Sequence, residues 1–194
     1  MTDDTARRAL RELMRSRRSE LAAPVRLAAA ESLAASLKTI PALQSTGFVA
    51  GYWAVRGELP LHALLAPAPA FTYCLPVLTP ERALKFSPWK FGEDVVPNVF
   101  GIPEPSAAER LEPGAMEVVL LPLLAFDRRG TRLGSGAGYY DRSFEFLAEQ
   151  VRPARPLLIG VAYGVQEVEP LPEQSWDVPL DYIATERELI RVGA

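Results

Sequence analysis

MEVVLLPLLAFD, residues 116–127, is an almost unbroken apolar run closed by an aspartate. Such a run, bounded by turn signals, suits a strand buried on both faces of a sheet. RLGSGAGYYDR, residues 132–142, follows it, with glycines at 134, 136 and 138. DRSFEFLAEQV, residues 141–151, then reads as a helix. Strand, glycine loop and helix form the junction at which open α/β sheets bind ligands. Glycine permits φ > 0 and lets the backbone approach a ligand closely. Successive N–H groups in such a loop make an anion-binding concavity. A helix N-terminus adds partial positive charge, and Arg132 adds a full one. Together they describe a phosphate cradle. The spacing is GxGxG, neither the P-loop nor the GxGxxG dinucleotide motif. A tight turn with no ligand is the alternative, but a plain turn does not need Arg132, Tyr139, Tyr140 and Asp141 in one place. Asp141 suits Mg²⁺ beside phosphates, or equally a helix-start charge.

The rest of the chain extends the α/β pattern. Asp3, Asp4 and Thr5 are N-cap candidates for a first helix, with Ala6, Leu10, Leu13 and Met14 on its apolar face. Arg8, Arg15, Arg17 and Arg18 read as its solvated face, whereas Arg7 and Arg11, one turn apart, can project together. Pro24 opens a second, alanine-rich helix to about Lys38. GFVAGYWAV from Gly47, FTYCLPVL from Phe71, ALKF from Ala83 and PLLIGVAYG from Pro156 read as strands. Residues 59–65 suit a short helix, residues 93–115 a long proline-rich surface loop, and residues 181–192 two short strands. Alternating strands and helices predict a single α/β domain over residues 1–194, a mostly parallel or mixed sheet between two helical layers.

Composition narrows the function. The 194 residues carry a net charge of −3, no electrostatic case for nucleic-acid binding. One cysteine, Cys74, and one histidine, His62, exclude a disulfide scaffold and Cys/His zinc sites. No apolar run reaches membrane-spanning length, and the charged N-terminus lacks a signal peptide's apolar core, so the expectation is a cytoplasmic protein away from membranes. Cys74 reads as a buried inert thiol, His62 as a surface residue and Trp89 as structural packing. Ser135 lacks the GxSxG elbow of a hydrolase.

Residues 122–142, PLLAFDRRGTRLGSGAGYYDR, closely resemble the signature of the 5-formyltetrahydrofolate cyclo-ligase (5,10-methenyltetrahydrofolate synthetase) family. RRALR (7–11), GYWAVRGEL (51–59), FGIPEP (100–105) and WDVPLDYIATE (176–186) resemble its other motifs, so the likeness runs over nearly the whole chain. The resemblance implies a three-layer fold similar to ribose-5-phosphate isomerase and CoA transferases. It also implies that 5-formyltetrahydrofolate and ATP, with Mg²⁺, become 5,10-methenyltetrahydrofolate, ADP and phosphate. Transfer of the γ-phosphoryl group to the formyl oxygen makes a good leaving group; N10 then attacks and the ring closes. No protein nucleophile is needed.

Site roles follow from the same resemblance. Arg7, Arg11, Arg132, Leu133, Gly134, Ser135, Gly136, Ala137, Gly138, Tyr139 and Tyr140 match the ATP site, with Arg132 and Tyr139 closest to the chemistry. Ser135, Gly136, Ala137, Gly138 and Tyr139 also touch folate in the family, as do Trp53 and the pterin-holding Glu58. Asp141 matches a magnesium ligand and Asp177 a second position near the metal. The partner expected is the small-molecule folate, with or without a polyglutamate tail, bound by a monomer. Arg7 stands where lysine is common, and Ala137 where lysine or glycine is found. The alternative is a catalytically silent folate- or nucleotide-binding regulator on the same scaffold; the presence of Glu58, Arg132, Asp141 and both N-terminal arginines favours the enzyme.

Overall fold

A computed structural model describes residues 3–193. Two helices come first, α1 (Asp3–Ser19) and α2 (Ala23–Leu37). They are followed by β1 (Phe48–Ala50), β2 (Thr72–Leu78) and β3 (Leu84–Pro88). A hairpin, β4 (Val95–Pro97) with β5 (Pro103–Pro105), leads to β6 (Met116–Pro122). A second hairpin, β7 (Ala125–Phe126) with β8 (Arg132–Leu133), precedes the short α3 (Tyr139–Ser143). The chain ends with β9 (Leu157–Val161), β10 (Tyr182–Ala184) and β11 (Leu189–Arg191).

Seven strands make one sheet in the order β11-β10-β9-β6-β1-β2-β3. The neighbours from β10 to β2 pair in parallel, and each edge strand is antiparallel. The alternation of strand side chains divides the core in two. Val49, Tyr73, Leu75, Val118, Leu120, Ile159 and Val161 pack beneath α2, whose Ala29, Ala30 and Ala34 let the helix approach. Ala50, Cys74, Val119, Leu121, Leu158 and Ile183 face the other way, onto Phe144 and Leu147. The mostly parallel mixed sheet expected from the apolar runs is therefore present.

Several elements differ from the sequence expectation. α1 is described from Asp3, so Asp4 and Thr5 lie within the helix rather than capping it. Leu13 is exposed, and the face turned to the protein is Arg7, Leu10, Arg11, Met14 and Arg18. Apolar periodicity alone misplaced this face, because arginine stems pack while their guanidinium groups reach backbone carbonyls. Residues 59–65 form turns instead of a helix: Pro60 lacks a donor, and Leu59, Leu61, Ala63 and Leu64 are all buried. Residues 93–115 contain the β4–β5 hairpin. The helix expected over 141–151 stops at Ser143, where Phe144 turns inward to stack on Tyr140 and pack against Phe86. His62 is exposed and Cys74 buried, as expected. Among the described residues no helix is long and apolar enough to cross a membrane.

β1 is much shorter than the apolar run suggests. Its ladder ends at Gly51, whose N–H donates to Cys74 O at 2.9 Å. The Tyr73 ring packs directly over this glycine and its hydroxyl donates to Tyr52 O at 3.1 Å. A Cβ at position 51 would stand 2.3–2.7 Å from that ring. Gly51→Ala is expected to lower stability by about 1–3 kcal/mol through this overpacking, read as a fall in the denaturation midpoint at unchanged m-value.

Candidate functional site

The chain runs from β1 to β2 on one side and returns to β6 on the other, so β1 is a topological switch point. Such points leave a crevice beyond the carboxyl ends of the strands. A cleft of about 400 Å³ lies there, bounded by Tyr52 and Trp53 after β1, Pro76 and Leu78 of β2, and Leu121 and Pro122 of β6. Its size is that of a small-molecule site.

One wall is the glycine loop. It leaves β8 of a small hairpin rather than the large strand directly, because residues 127–131 first fold back on themselves. Gly136 (φ 103°) and Gly138 (φ 71°) are left-handed and flank Ala137, which is not. The alanine that departs from the family pattern is therefore unstrained. Gly138 is the N-cap of α3, a helix of five residues, so the dipole contribution is small. Arg132 is buried; its guanidinium donates to Asp141 Oδ1 and to Val178 O. Asp177 lines the same cleft and accepts from the Gln174 N–H at 3.0 Å. Burial, and the nearby Asp141 charge, push its carboxyl above the usual range against that hydrogen bond.

A second wall is α1. Arg7, Arg11, Arg15 and Arg18 recur at helical spacing and all line the cleft. Arg7 donates to Pro172 O at 3.2 Å, and Arg11 Nε to Gly134 O at 3.0 Å. The Arg11 guanidinium lies against Gly136, where a Cβ would be 3.6 Å from its Cζ. Burial, together with Arg7 and Arg15, lowers the Arg11 pKa. A cluster of like charges held part-buried is arranged for an anion.

A third wall follows β1. Val55 to Glu58 form a turn whose middle residues, Arg56 (φ 51°) and Gly57 (φ 77°), are both left-handed. The Glu58 N–H donates to Val55 O at 3.0 Å, and Val55 N–H returns a bond to Glu58 Oε2 at 3.1 Å. Glu58 thus sits in a turn beyond the strand, not at the strand's end. Burial raises its pKa, opposed by the Val55 bond and by Arg18 and Arg56. Trp53 is half-buried and meets Trp89 edge to face at 5.5 Å. Trp89 is structural, its Nε1 donating to Glu93 O at 3.2 Å.

The roof is the β4–β5 hairpin, which forms where the prolines of residues 93–115 suggest only loop. Asn98, Phe100, Ile102 and Glu104 line the cleft from it. Glu104 Oε1 accepts from Leu78 N–H at 3.0 Å and from Asn98 Nδ2 at 2.9 Å, tying the hairpin to the end of β2. Asn98 Oδ1 accepts from the N–H groups of Phe100 and Ile102, and Phe100 meets the Tyr139 ring edge-on at 6.0 Å. The signal was present: Asn98 and Gly101 are turn residues, and Val95 and Val96 are β-formers.

Arg7, Arg11, Trp53, Glu58, Arg132, Gly134, Ser135, Gly136, Ala137, Gly138, Tyr139, Tyr140, Asp141 and Asp177 therefore share one cleft. Leu133 does not line it: its side chain is buried with Met14, Leu124 and Leu171 beneath α1. Arg18 was missed. It is buried, not part of a solvated face, and its pair with Glu58 was invisible to helical periodicity.

Residues 3–186 match the model of the 5-formyltetrahydrofolate cyclo-ligase family. The chain is similar to the 5-formyltetrahydrofolate cyclo-ligase of Escherichia coli (strain K12), 34% identical over 180 residues that cover 89% of this chain and 96% of the relative. It is 36% identical to that of Haemophilus influenzae over 68% of this chain and 72% of the relative. The solved structure of Aquifex aeolicus 5,10-methenyltetrahydrofolate synthetase superposes with a TM-score of 0.81 at 29% identity, covering 97% of this chain and 93% of that one.

The β7–β8 hairpin that launches the glycine loop depends on Asp127, which is 2% exposed. Its carboxylate accepts from the N–H groups of Arg129, Thr131 and Leu171 at 2.9, 3.2 and 2.8 Å, and from the Arg129 guanidinium at 2.9 Å. Burial pushes its pKa up, but these bonds outweigh it and hold the carboxyl below the usual range. A depressed carboxylate contributes stability above its unfolded pKa and loses it as pH falls through the folded one. Asp127→Asn turns an acceptor into a donor facing N–H groups, an expected loss of about 1–3 kcal/mol at pH 7. In denaturation at a series of pH values, the gap to wild type should narrow below about pH 4.

Proposed function

The chain belongs to the 5-formyltetrahydrofolate cyclo-ligase family, and from that premise we propose that the switch-point cleft is where ATP and 5-formyltetrahydrofolate meet. Its activity is that of the family, an ATP-dependent 5-formyltetrahydrofolate cyclo-ligase. The observation that carries the placement is the joining, in one cleft, of an arginine-lined glycine loop with the part-buried carboxylate of Glu58 and the indole of Trp53.

In this reading the ATP phosphates lie against the N–H groups of the 134–138 loop, with Arg7 and Arg11 on one side and Arg132 on the other. The arginines fix the γ-phosphoryl group and stabilise its charge during transfer to the formyl oxygen, which positioning and electrostatics alone can accomplish. Glu58 accepts paired hydrogen bonds from the pterin N–H groups, and Trp53 packs on the folate. Tyr139, half-buried between the loop and Phe100, closes the cleft over the reacting centre. No side chain need act as nucleophile, consistent with His62 standing outside the cleft and the Cys74 thiol being pushed up to about 12 by burial.

Asp141 and Asp177 fit Mg²⁺, which takes one or two carboxylates and completes its shell with phosphate oxygens and water. Bound there, the ion would neutralise phosphate charge. Asp141 also orients Arg132 through their ion pair, so it serves the phosphoryl group twice. A single domain working as a monomer belongs to the same reading, as does a cytoplasmic setting.

Incubation with ATP, Mg²⁺ and 5-formyltetrahydrofolate should produce the absorbance of the conjugated methenyl bridge. Folate binding without that absorbance would instead indicate the silent regulator. Asp141→Asn is expected to lower kcat about 100-fold or more, the scale of removing a group that stabilises transition-state charge, with the fold intact by circular dichroism. Near-normal turnover of this variant at limiting Mg²⁺ would remove Asp141 from the metal site. Arg11→Ala should raise the KM for ATP about tenfold while leaving that for folate within a factor of two, because a lost charge-assisted bond is worth roughly 1.5–3 kcal/mol.

A further inference from the structure

Arg18 is buried, at 3% exposure, and has no task in the proposed binding of ATP and folate. Its Nε donates to Arg56 O at 3.1 Å. Its Nη1 stands 3.9 Å from Glu58 Oε1, where both side chains are shielded from solvent. It therefore grips both parts of the 55–58 turn: the left-handed backbone at Arg56 and the carboxylate at Glu58. Desolvation lowers its own pKa, and Glu58 is the leading influence that opposes this. Tyr163, also buried, faces the same guanidinium.

A buried arginine is costly to keep unless it is paired and hydrogen-bonded, and Arg18 finds both in the Glu58 carboxylate and the Arg56 carbonyl. Glu58 Oε2 is already engaged by the Val55 N–H, while Oε1 is directed toward Arg18 across a gap too long for a hydrogen bond. The carboxylate is thus held in register without being fully consumed, and keeps acceptor capacity for a ligand. The same helix carries Arg11 against the glycine loop seven residues earlier, two turns or about 10 Å along the axis. One rigid element therefore sets the positions of the anion-binding loop and of Glu58 together.

We propose that Arg18 is a positioning residue that keeps Glu58 ionised and aimed at the pterin, acting on folate only through Glu58. This rests on the placement of the folate at Glu58 given above. The other charged and titratable groups facing Glu58 are Arg56 from its own turn, Tyr52 after β1 and Tyr140 from α3. The tyrosines stay neutral, because burial pushes both up. Arg56 is exposed, so Arg18 is the principal shielded cation at the carboxylate. Glu58 must be charged to accept from the pterin, so affinity falls as pH drops through its pKa. Loss of Arg18 raises that pKa further and moves the acid limb upward.

The test uses the full chain and 5-formyltetrahydrofolate itself, with affinity measured by calorimetry between pH 5.5 and 8.5. Arg18→Met should shift the acid limb of folate binding upward by about one pH unit, which weakens binding up to about tenfold on the acid side of the limb and little on its alkaline plateau. Arg18→Lys, which keeps a cation on a packed stem, should leave the limb close to wild type. Glu58→Gln should weaken folate and abolish the limb, and Arg18→Met/Glu58→Gln should bind no worse than Glu58→Gln alone. Glu58→Gln binding folate as wild type does would overturn the placement of the pterin, and this proposal with it. Weakened folate in Glu58→Gln, but an unmoved limb in Arg18→Met or additive losses in the double variant, would overturn the proposal alone. If Arg18→Met does not fold, Arg18→Gln, which removes the charge but keeps a polar stem, takes its place: a limb raised by about one pH unit supports the proposal, and an unmoved limb overturns it.

Discussion

The central strand, β1, is hydrogen-bonded to parallel neighbours on both sides for only three residues before the chain leaves the sheet at Gly51. The Tyr73 ring lies where a Cβ at position 51 would be, so only glycine fits at this exit. Had the ladder continued through the apolar residues that follow, Tyr52 to Val55 would fill the space between β2 and β6. Instead the backbone peels away, and the crevice between those strands opens to take a ligand. The walls described above are built around that gap: the turn bearing Glu58 continues from β1, the glycine loop hangs from the hairpin after β6, and the β4–β5 hairpin is pinned to the end of β2.

α1 shows how a helix can dock through charge as much as through grease. Met14 and Leu10 supply its apolar contact with Leu124 and Leu133, but three of its arginines also end on backbone carbonyls, those of Pro172, Gly134 and Arg56. Each such carbonyl belongs to a segment that borders the cleft or supports it. The helix is thus attached at the places where the site must be held, and its guanidinium groups keep further donors for anions because each presents five.

The fold was legible where burial was two-sided and continuous. Residues 116–122, 72–78 and 157–161 announce themselves as strands because both faces of a parallel sheet are covered. The glycine loop was legible from composition, and its role came from the resemblance of its motif. What was not legible depended on contacts distant in sequence. Arg18 looks like any surface arginine until Glu58 is brought across to it. Leu13 looks like core until the helix is rotated by its arginines. The helix after Asp141 looked continuous, yet Phe144 found better packing against the sheet than a helical position allowed. Val95, Val96 and the turn at Asn98 were masked by the prolines around them, which signal loop even when they sit on a two-stranded edge.

The glycine loop also constrains how its sequence can drift. Gly136 and Gly138 occupy conformations that other residues adopt only under strain, whereas Gly134 has an ordinary φ and open space where a side chain would stand. Ala137 lies between the two obligatory positions with an unstrained backbone. The geometry therefore divides the loop: 136 and 138 hold conformations that suit glycine, while 134 and 137 can carry a side chain without backbone strain. A cation could be added or discarded at 137 without refolding the loop.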